Sequence, residues 1–321
     1  MTPREVVQRT VRFEGPDRLP YALPDEYGSD FAGVGMTPSP DARPKRGIDE
    51  WGCEWANIGI SNLGEVKTPA LTRWEDWERL TIPDIREPGR WRKLEGARDR
   101  AGDRFLMASG ISLYERAHFL RGLENLWVDL YERPEELGRL LDRLVDMNLY
   151  AIERYAAAGA DGYIWCDDWG LQTRLMISPD SWRALWKPRY ARVYQAAHDA
   201  GLLTFLHSCG DIVEILDDFI EIGLDVIQMD QQENMGVDRL GKRFGGRITF
   251  WCPVDIQGTM AHGSLDEIRS YCRHMVETLG RPNGGFIAKW YGDPDAVGHT
   301  PEAIAAMSEE FLKISAERSA K

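Results

Sequence analysis

The chain has 321 residues, 43% hydrophobic and 28% charged, the balance of a soluble globular protein rather than a disordered or fibrous one. Its 39 Lys+Arg against 52 Asp+Glu leave a formal net charge of -13, which repels a phosphate backbone or an anionic bilayer and argues against nucleic acid and membrane partners. No stretch approaches the ~18 apolar residues of a membrane span. The first residues carry a charge or amide every few positions, with no apolar signal region. Cys53, Cys166, Cys209, Cys252 and Cys272 are odd in number, scattered and never spaced Cys-x-x-Cys, which predicts reduced thiols in a cytoplasmic protein.

Residues 14 to about 100 are rich in Pro, Gly, Trp and charge and weak in periodicity. They predict a first strand near Leu19 to Leu23, followed by long excursions. From about residue 100, short apolar runs alternate with stretches of helical period. The runs are Phe105 to Ser109, Gly162 to Cys166, Leu203 to Leu206, Asp225 to Met229, Ile248 to Trp251 and Gly285 to Trp290. Helix starts follow from Pro134 in a first turn, Ser178-Pro179-Asp180, the capping box Ser264 to Glu267, and Thr300-Pro301-Glu302.

At least five β-then-α units without a low-complexity linker predict one domain over 1–321. The expected class is α/β, a closed (β/α)8 TIM barrel, with residues 1–100 supplying the first strand and a lid-like extension covering the mouth. A doubly wound open sheet is the competitor; no G-x-G-x-x-G follows a first strand and no Walker loop is present.

In such a barrel the chemistry sits where strands end. His207 and Cys209 are two apart on an extended chain, so they point to one side and suit zinc, with Cys252, Asp293 or Asp295 as candidate third ligand. The bland alternative is a rim hydrogen bond for His207 and packing for Cys209. Asp167 and Asp168 diverge from one strand end, one toward substrate and the other toward a cap. Gln172, Gln228, Asp230, Asp255, Gln257 and Tyr291 lie in rim segments and could bind a polar ligand or satisfy one another. Trp51, Trp55, Trp165, Trp169, Trp251 and Trp290 flank those segments and offer flat walls to a ring-shaped ligand. His118, His198, His262 and His274 read as solvated, His299 enters the last rim loop, and no run of Arg and Lys marks an anion site.

The chain resembles the uroporphyrinogen decarboxylase superfamily, which also contains zinc-dependent, corrinoid-linked methyltransferases. The resemblance runs nearly end to end. It is carried by Gly15-Pro-Asp-Arg-Leu-Pro20, Asp167-Asp168-Trp-Gly-Leu-Gln172, Ile177 to Trp182 with Lys187-Pro-Arg-Tyr190, His207-Ser-Cys-Gly210, Phe250 to Gln257 and Gly284 to Ile287. It implies the (β/α)8 fold. Where true porphyrinogen decarboxylases carry an arginine-rich stretch, this chain reads Tyr21-Ala-Leu-Pro-Asp-Glu-Tyr-Gly28, whose acids repel a polycarboxylate. The methyltransferase branch carries His-x-Cys at a strand end, as at His207 and Cys209, and a third thiolate in the loop before the last helix. That loop, Trp290 to His299, has no cysteine here, which passes the third position to Asp293, Asp295, His299 or Cys252.

The resemblance implies a methyltransferase or O-demethylase acting between a small substrate, an aromatic methoxy compound or a thiol, and a corrinoid carried by a partner protein. Zinc on His207, Cys209 and Cys252 would act as Lewis acid. Asp167, Asp168 and His207 stand as catalytic candidates, with Gln172, Gln228, Asp230, Trp251, Asp255, Gln257 and Tyr291 around the substrate. Two alternatives remain: a metal-free decarboxylase of a small carboxylic acid, and a non-catalytic barrel that binds a corrinoid protein or ligand.

Overall fold

A computed structural model of the chain describes residues 1–39, 47–57 and 64–320. Its strands are β1 (Tyr21–Ala22), β2 (Phe31–Gly35), β3 (Glu54–Asn57), β4 (Gly64–Thr68), β5 (Phe105–Ser109), β6 (Gly162–Cys166), β7 (Leu203–His207), β8 (Val226–Gln228), β9 (Thr249–Cys252) and β10 (Phe286–Lys289). Eight of them form one parallel sheet in the order β1-β10-β9-β8-β7-β6-β5-β2, curled into a nearly closed (β/α)8 barrel. The expected strands from β5 onward are all present. The expected first strand is the short β1, and β2 is an addition: Phe31-Ala-Gly-Val-Gly35 carries two glycines that weaken any strand signal.

The alternation along each strand sorts the core into two layers. Phe31, Phe105, Met107, Phe205, Val226 and Ile287 fill the barrel interior, with Trp251 stacked on Phe31 at 4.8 Å between ring centroids. Their neighbours Leu106, Tyr163, Trp165, Leu206, Ile227, Phe250 and Ala288 face outward into the larger core beneath the helices. Among those helices Pro134–Ala157 begins with its proline, Leu265–Thr278 with the reciprocal Ser264 and Glu267 box, and Pro301–Ser319 with the Thr300 side chain accepting from Ala303 N–H.

The seam of the barrel lies between β1 and β2, which share no parallel ladder. Asp30 closes it. Its carboxylate, almost fully buried, accepts from Tyr21 N–H at 2.9 Å and from Arg18 Nη1 at 2.8 Å, while its carbonyl accepts from Phe105 N–H. The described part of the N-terminal excursion packs on the helix Tyr114–Arg121 that follows β5: Trp51 lies under the Arg116 guanidinium, Trp55 meets Phe119, and Asp49 pairs with Arg116 at 3.2 Å. Trp51 and Trp55 thus build this buttress.

Removing Asp30 strands the Arg18 charge and a strand N–H in a largely buried seam. Asp30→Ala is expected to cost about 3 kcal/mol in urea denaturation. At the opposite end of β7, His198 is not simply solvated: its ring contacts Asp225 at 2.8 Å, and this hydrogen bond raises the imidazole pKa above its usual value. The protonated ring stabilises the fold fully below its unfolded-state pKa of about 6.5, and that contribution is lost as pH rises through the higher folded-state value. In His198→Gln the fall in stability between about pH 6 and about pH 8 is expected to flatten, as read by denaturant titrations across that range.

Candidate functional site

The same alternation that fills the barrel decides which polar groups reach its mouth. Two residues beyond inward-facing Ile164, Phe205, Val226 and Ile287 stand Cys166, His207, Gln228 and Lys289, which therefore turn toward the barrel axis at the strand ends. Asp168, Cys209 and Asp230 follow two positions later. His207, Cys209, Gln228, Asp230 and Asp168 are thereby brought together, and Cys166 and Lys289 join them. Counting by twos from an apolar inward residue would have found both.

His207 sits at the centre. Its Nδ1 forms a very short contact with Gln228 Oε1, and its Nε2 faces Cys209 Sγ at 3.3 Å and Asp168 Oδ1 at 3.4 Å. Gln228 Nε2 donates to Asp230 Oδ1 at 2.8 Å, and Lys289 Nζ donates to that same oxygen at 2.8 Å. With Gln228 accepting at Nδ1, that nitrogen carries the proton and Nε2 keeps its lone pair. Asp168 Oδ1 accepts from Cys209 N–H at 2.8 Å, which ties the loop after β7 to the end of β6.

Burial raises the Asp168 carboxyl pKa, opposed by the nearby His207. It also pushes the Cys209 and Cys166 thiols well up, with Asp168 adding repulsion at both. Half-buried Tyr291 overlooks the same groups, and burial with the charge of Asp230 raises its phenol. Among the described residues two groups have ligand atoms all within 4.8 Å of one another: Cys166, Asp168 and His207, and His207, Cys209 and Asp230.

Other expected site residues are placed elsewhere. Cys252 neighbours inward-facing Trp251 and so points outward, fully buried in the core under the helices; it belongs to neither metal-capable group, which corrects its assignment as third ligand. Asp293 and Asp295 are outside both groups too, and His299 is buried with Nε2 against Ile256 O at 2.9 Å. Asp167 likewise follows outward-facing Trp165. Its carboxylate accepts from the N–H groups of Leu113, Tyr114 and Glu115 and from Tyr190 Oη at 2.7 Å, a cap for the helix Tyr114–Arg121. Burial lifts its pKa to about 7 against the pull of those donors.

Asp255 caps the short helix Thr259–His262 by accepting from Gly258 and Thr259 N–H, each at 2.9 Å, while Gln172 and Gln257 are exposed without side-chain partners among the described residues. Trp251 faces inward beside Gln228 in the layer of His207, partly buried and stacked on Phe31, whereas Trp165 and Trp169 pack among Tyr114, Tyr190 and Tyr194 rather than lining the mouth.

The two adjacent aspartates are expected to separate on mutation. Asp167→Ala leaves buried donors unpaired and should lower stability by about 3 kcal/mol, whereas Asp168→Ala should cost about 1 kcal/mol or less. Chemical denaturation of the two variants side by side measures the difference; equal losses would place both carboxylates in structural roles.

The family model described as Uroporphyrinogen decarboxylase (URO-D) matches residues 62–311. A curated relative, uroporphyrinogen decarboxylase of Magnetococcus marinus, is 27% identical over 191 residues, covering 58% of this chain and 51% of that protein, so the chain spans about half the length of that relative. Among solved structures, a methyltransferase from Methanosarcina mazei superposes with a TM-score of 0.72 at 17% identity, covering 98% of this chain and 99% of that one, a likeness of fold. The match over most of the barrel places the chain in the uroporphyrinogen decarboxylase (URO-D) family.

Proposed function

We propose that this protein is a methyltransferase or O-demethylase that moves a methyl group between a small substrate and a corrinoid carried by a partner protein, with zinc at the barrel mouth. One observation carries the reading: His207, Cys209 and Asp230 converge to within 4.8 Å at the strand ends, offering nitrogen, sulfur and oxygen to one ion. Three mixed N, S and O ligands with an open fourth position suit a catalytic zinc. The departure in the last loop, which has no cysteine, is met by Asp230 rather than by Cys252. Bound zinc would supply a Lewis acid that activates a thiol or draws electron density from an ether oxygen.

The protein's own groups do the rest. Gln228 holds the His207 ring and its tautomer, the supporting role common behind metal-bound imidazoles. Lys289 compensates the Asp230 charge and leaves Oδ2 free of it. Asp168, about one-third exposed, faces the mouth and orients what enters. Tyr291 stays protonated, its phenol available as a donor to a substrate oxygen.

A second reading, a metal-free decarboxylase of a small carboxylic acid, is favoured by Asp168. Burial raises its pKa at the mouth, so it can carry a proton to a carbanionic centre.

Plasma mass spectrometry of the purified protein is expected to find about one zinc per chain. That zinc should be lost in His207→Ala, Cys209→Ser and Asp230→Ala and kept in Cys252→Ser. Methyl transfer from methoxyaromatic or thioether substrates to cob(I)alamin should follow the metal. A protein that takes up no zinc when supplied with it, and whose turnover of carboxylic acids survives chelation, would replace the first reading with the second.

A further inference from the structure

The four cations Arg92, Lys93, Arg100 and Arg104 are spread over thirteen positions of the sequence, yet the fold sets them around one cavity of about 900 Å³ beside β2. Among the described residues no carboxylate lines it. Arg100 donates to the carbonyls of Glu95 and Lys93, both at 2.6 Å, and Arg104 to those of Ala101 and Phe31. Those bonds orient the guanidiniums without neutralising them. The side chains of Arg92 and Lys93 have no hydrogen bond or ion pair among the described residues. In a chain of net charge -13, four uncompensated cations around one hollow run against the overall field.

The wall of this cavity is the free edge of β2. In a parallel ladder alternate residues turn their N–H and C=O to the same neighbour. Asp30, whose carbonyl accepts from Phe105 N–H, and Met36, whose N–H reaches Tyr155 Oη, mark the even positions as those facing β5. Gly33 and Gly35 therefore direct their backbone groups to the open side. Neither carries a side chain to flank those groups, and a Cβ built on Gly33, on the face it shares with Phe31, meets nothing within 4 Å. Glycine inside a strand allows a ligand to approach the backbone closely, and bare N–H groups are donors to anions.

We infer that this cavity binds a small organic or inorganic polyanion carrying two or more phosphate or carboxylate groups, its charge met by Arg92, Lys93, Arg100 and Arg104 and its oxygens reaching the Gly33 and Gly35 N–H groups. The volume lies in the range of small-molecule sites. A peptide strand added to the edge would need a longer free ladder, but Phe31 already has Ser29 Oγ on its N–H and Arg104 on its carbonyl. The upper end, at Gly35 and Ser109, is in register with Ile164, one layer below the mouth, and no residue of the His207 cluster is among the residues that line the cavity, so a bound polyanion lies along the wall of the barrel rather than on that cluster. The inference is independent of the metal and of methyl transfer.

Isothermal titration calorimetry of the full chain with inorganic triphosphate and, separately, with citrate tests it. At least one probe is expected to bind at about one per chain. Arg92→Gln/Lys93→Gln should weaken it about tenfold or more, the loss of a charge-assisted hydrogen bond. Gly33→Pro, which removes the open-edge N–H at a position where an edge strand tolerates proline, should weaken it comparably while melting near the parent temperature. Absence of binding by both probes overturns the inference. So does binding that neither variant changes, and so does a loss confined to the charge variant beside a folded Gly33→Pro of parent affinity, which marks a diffuse charge patch instead of a shaped site.

Discussion

The mouth of this barrel depends on the neutralisation of Asp230. Its carboxylate is nearly buried at the end of β8, where an unpaired charge would be expelled or protonated. Lys289, arriving from β10, meets it at 2.8 Å, and Gln228 shares the same oxygen. Because an amide has one acceptor and one donor end, the donation to Asp230 obliges Gln228 to present its oxygen to His207. The imidazole is thus oriented by a chain that starts three strands away. Removing Lys289 would leave Asp230 uncompensated, and removing Gln228 would free the ring to turn. Neither residue need touch a substrate to matter.

That chain assembles only because the strand ends are in register. His207 pairs with Gln228 across β7 and β8 and with Cys166 across β6 and β7, so three mouth residues lie side by side in one layer. A shift by one residue in either strand would turn the mouth group under the helices and bring an apolar neighbour into its place. Asp30 serves the same register at the seam, where β1 and β2 share no ladder and a buried carboxylate stands in for it.

How far this was legible in the sequence follows from the same rule. The strands from β5 onward are apolar, β-branched or aromatic, and their runs stood out; β2 did not, because Gly33 and Gly35 serve an open edge rather than a packed layer. His207 and Cys209 were found because spacing by two is visible without coordinates. Cys252 was misplaced, and Asp167 could not be told from Asp168, for want of the same count: each lies one residue from an inward-facing neighbour, and being near a strand end says nothing of which side is faced. Lys289 hid as a lone cation after an apolar strand. The cations at Arg92, Lys93, Arg100 and Arg104 made no run, and only the turn from a 3-10 helix into the short helix Ala97–Ala101 brings them together.

The charge arrangement bears on how the two readings of the mouth differ. Lys289 and Asp230 cancel, so Lys289 is not available to stabilise a second anion. Around the lone pair of His207 remain Asp168 and the thiols of Cys166 and Cys209, and burial drives all three toward their neutral forms. A substrate carboxylate entering this mouth without a cation would meet another acid held near it, and decarboxylation would need the proton carried by Asp168 to offset that repulsion. A divalent cation inverts this logic, since it favours the thiolate and carboxylate together and lets one buried cluster hold several negative donors. The composition of the cluster, two thiols and two carboxylates about a single imidazole, therefore weighs toward the metal: a metal-free acid catalyst requires one such carboxylate and gives no reason for sulfur beside it.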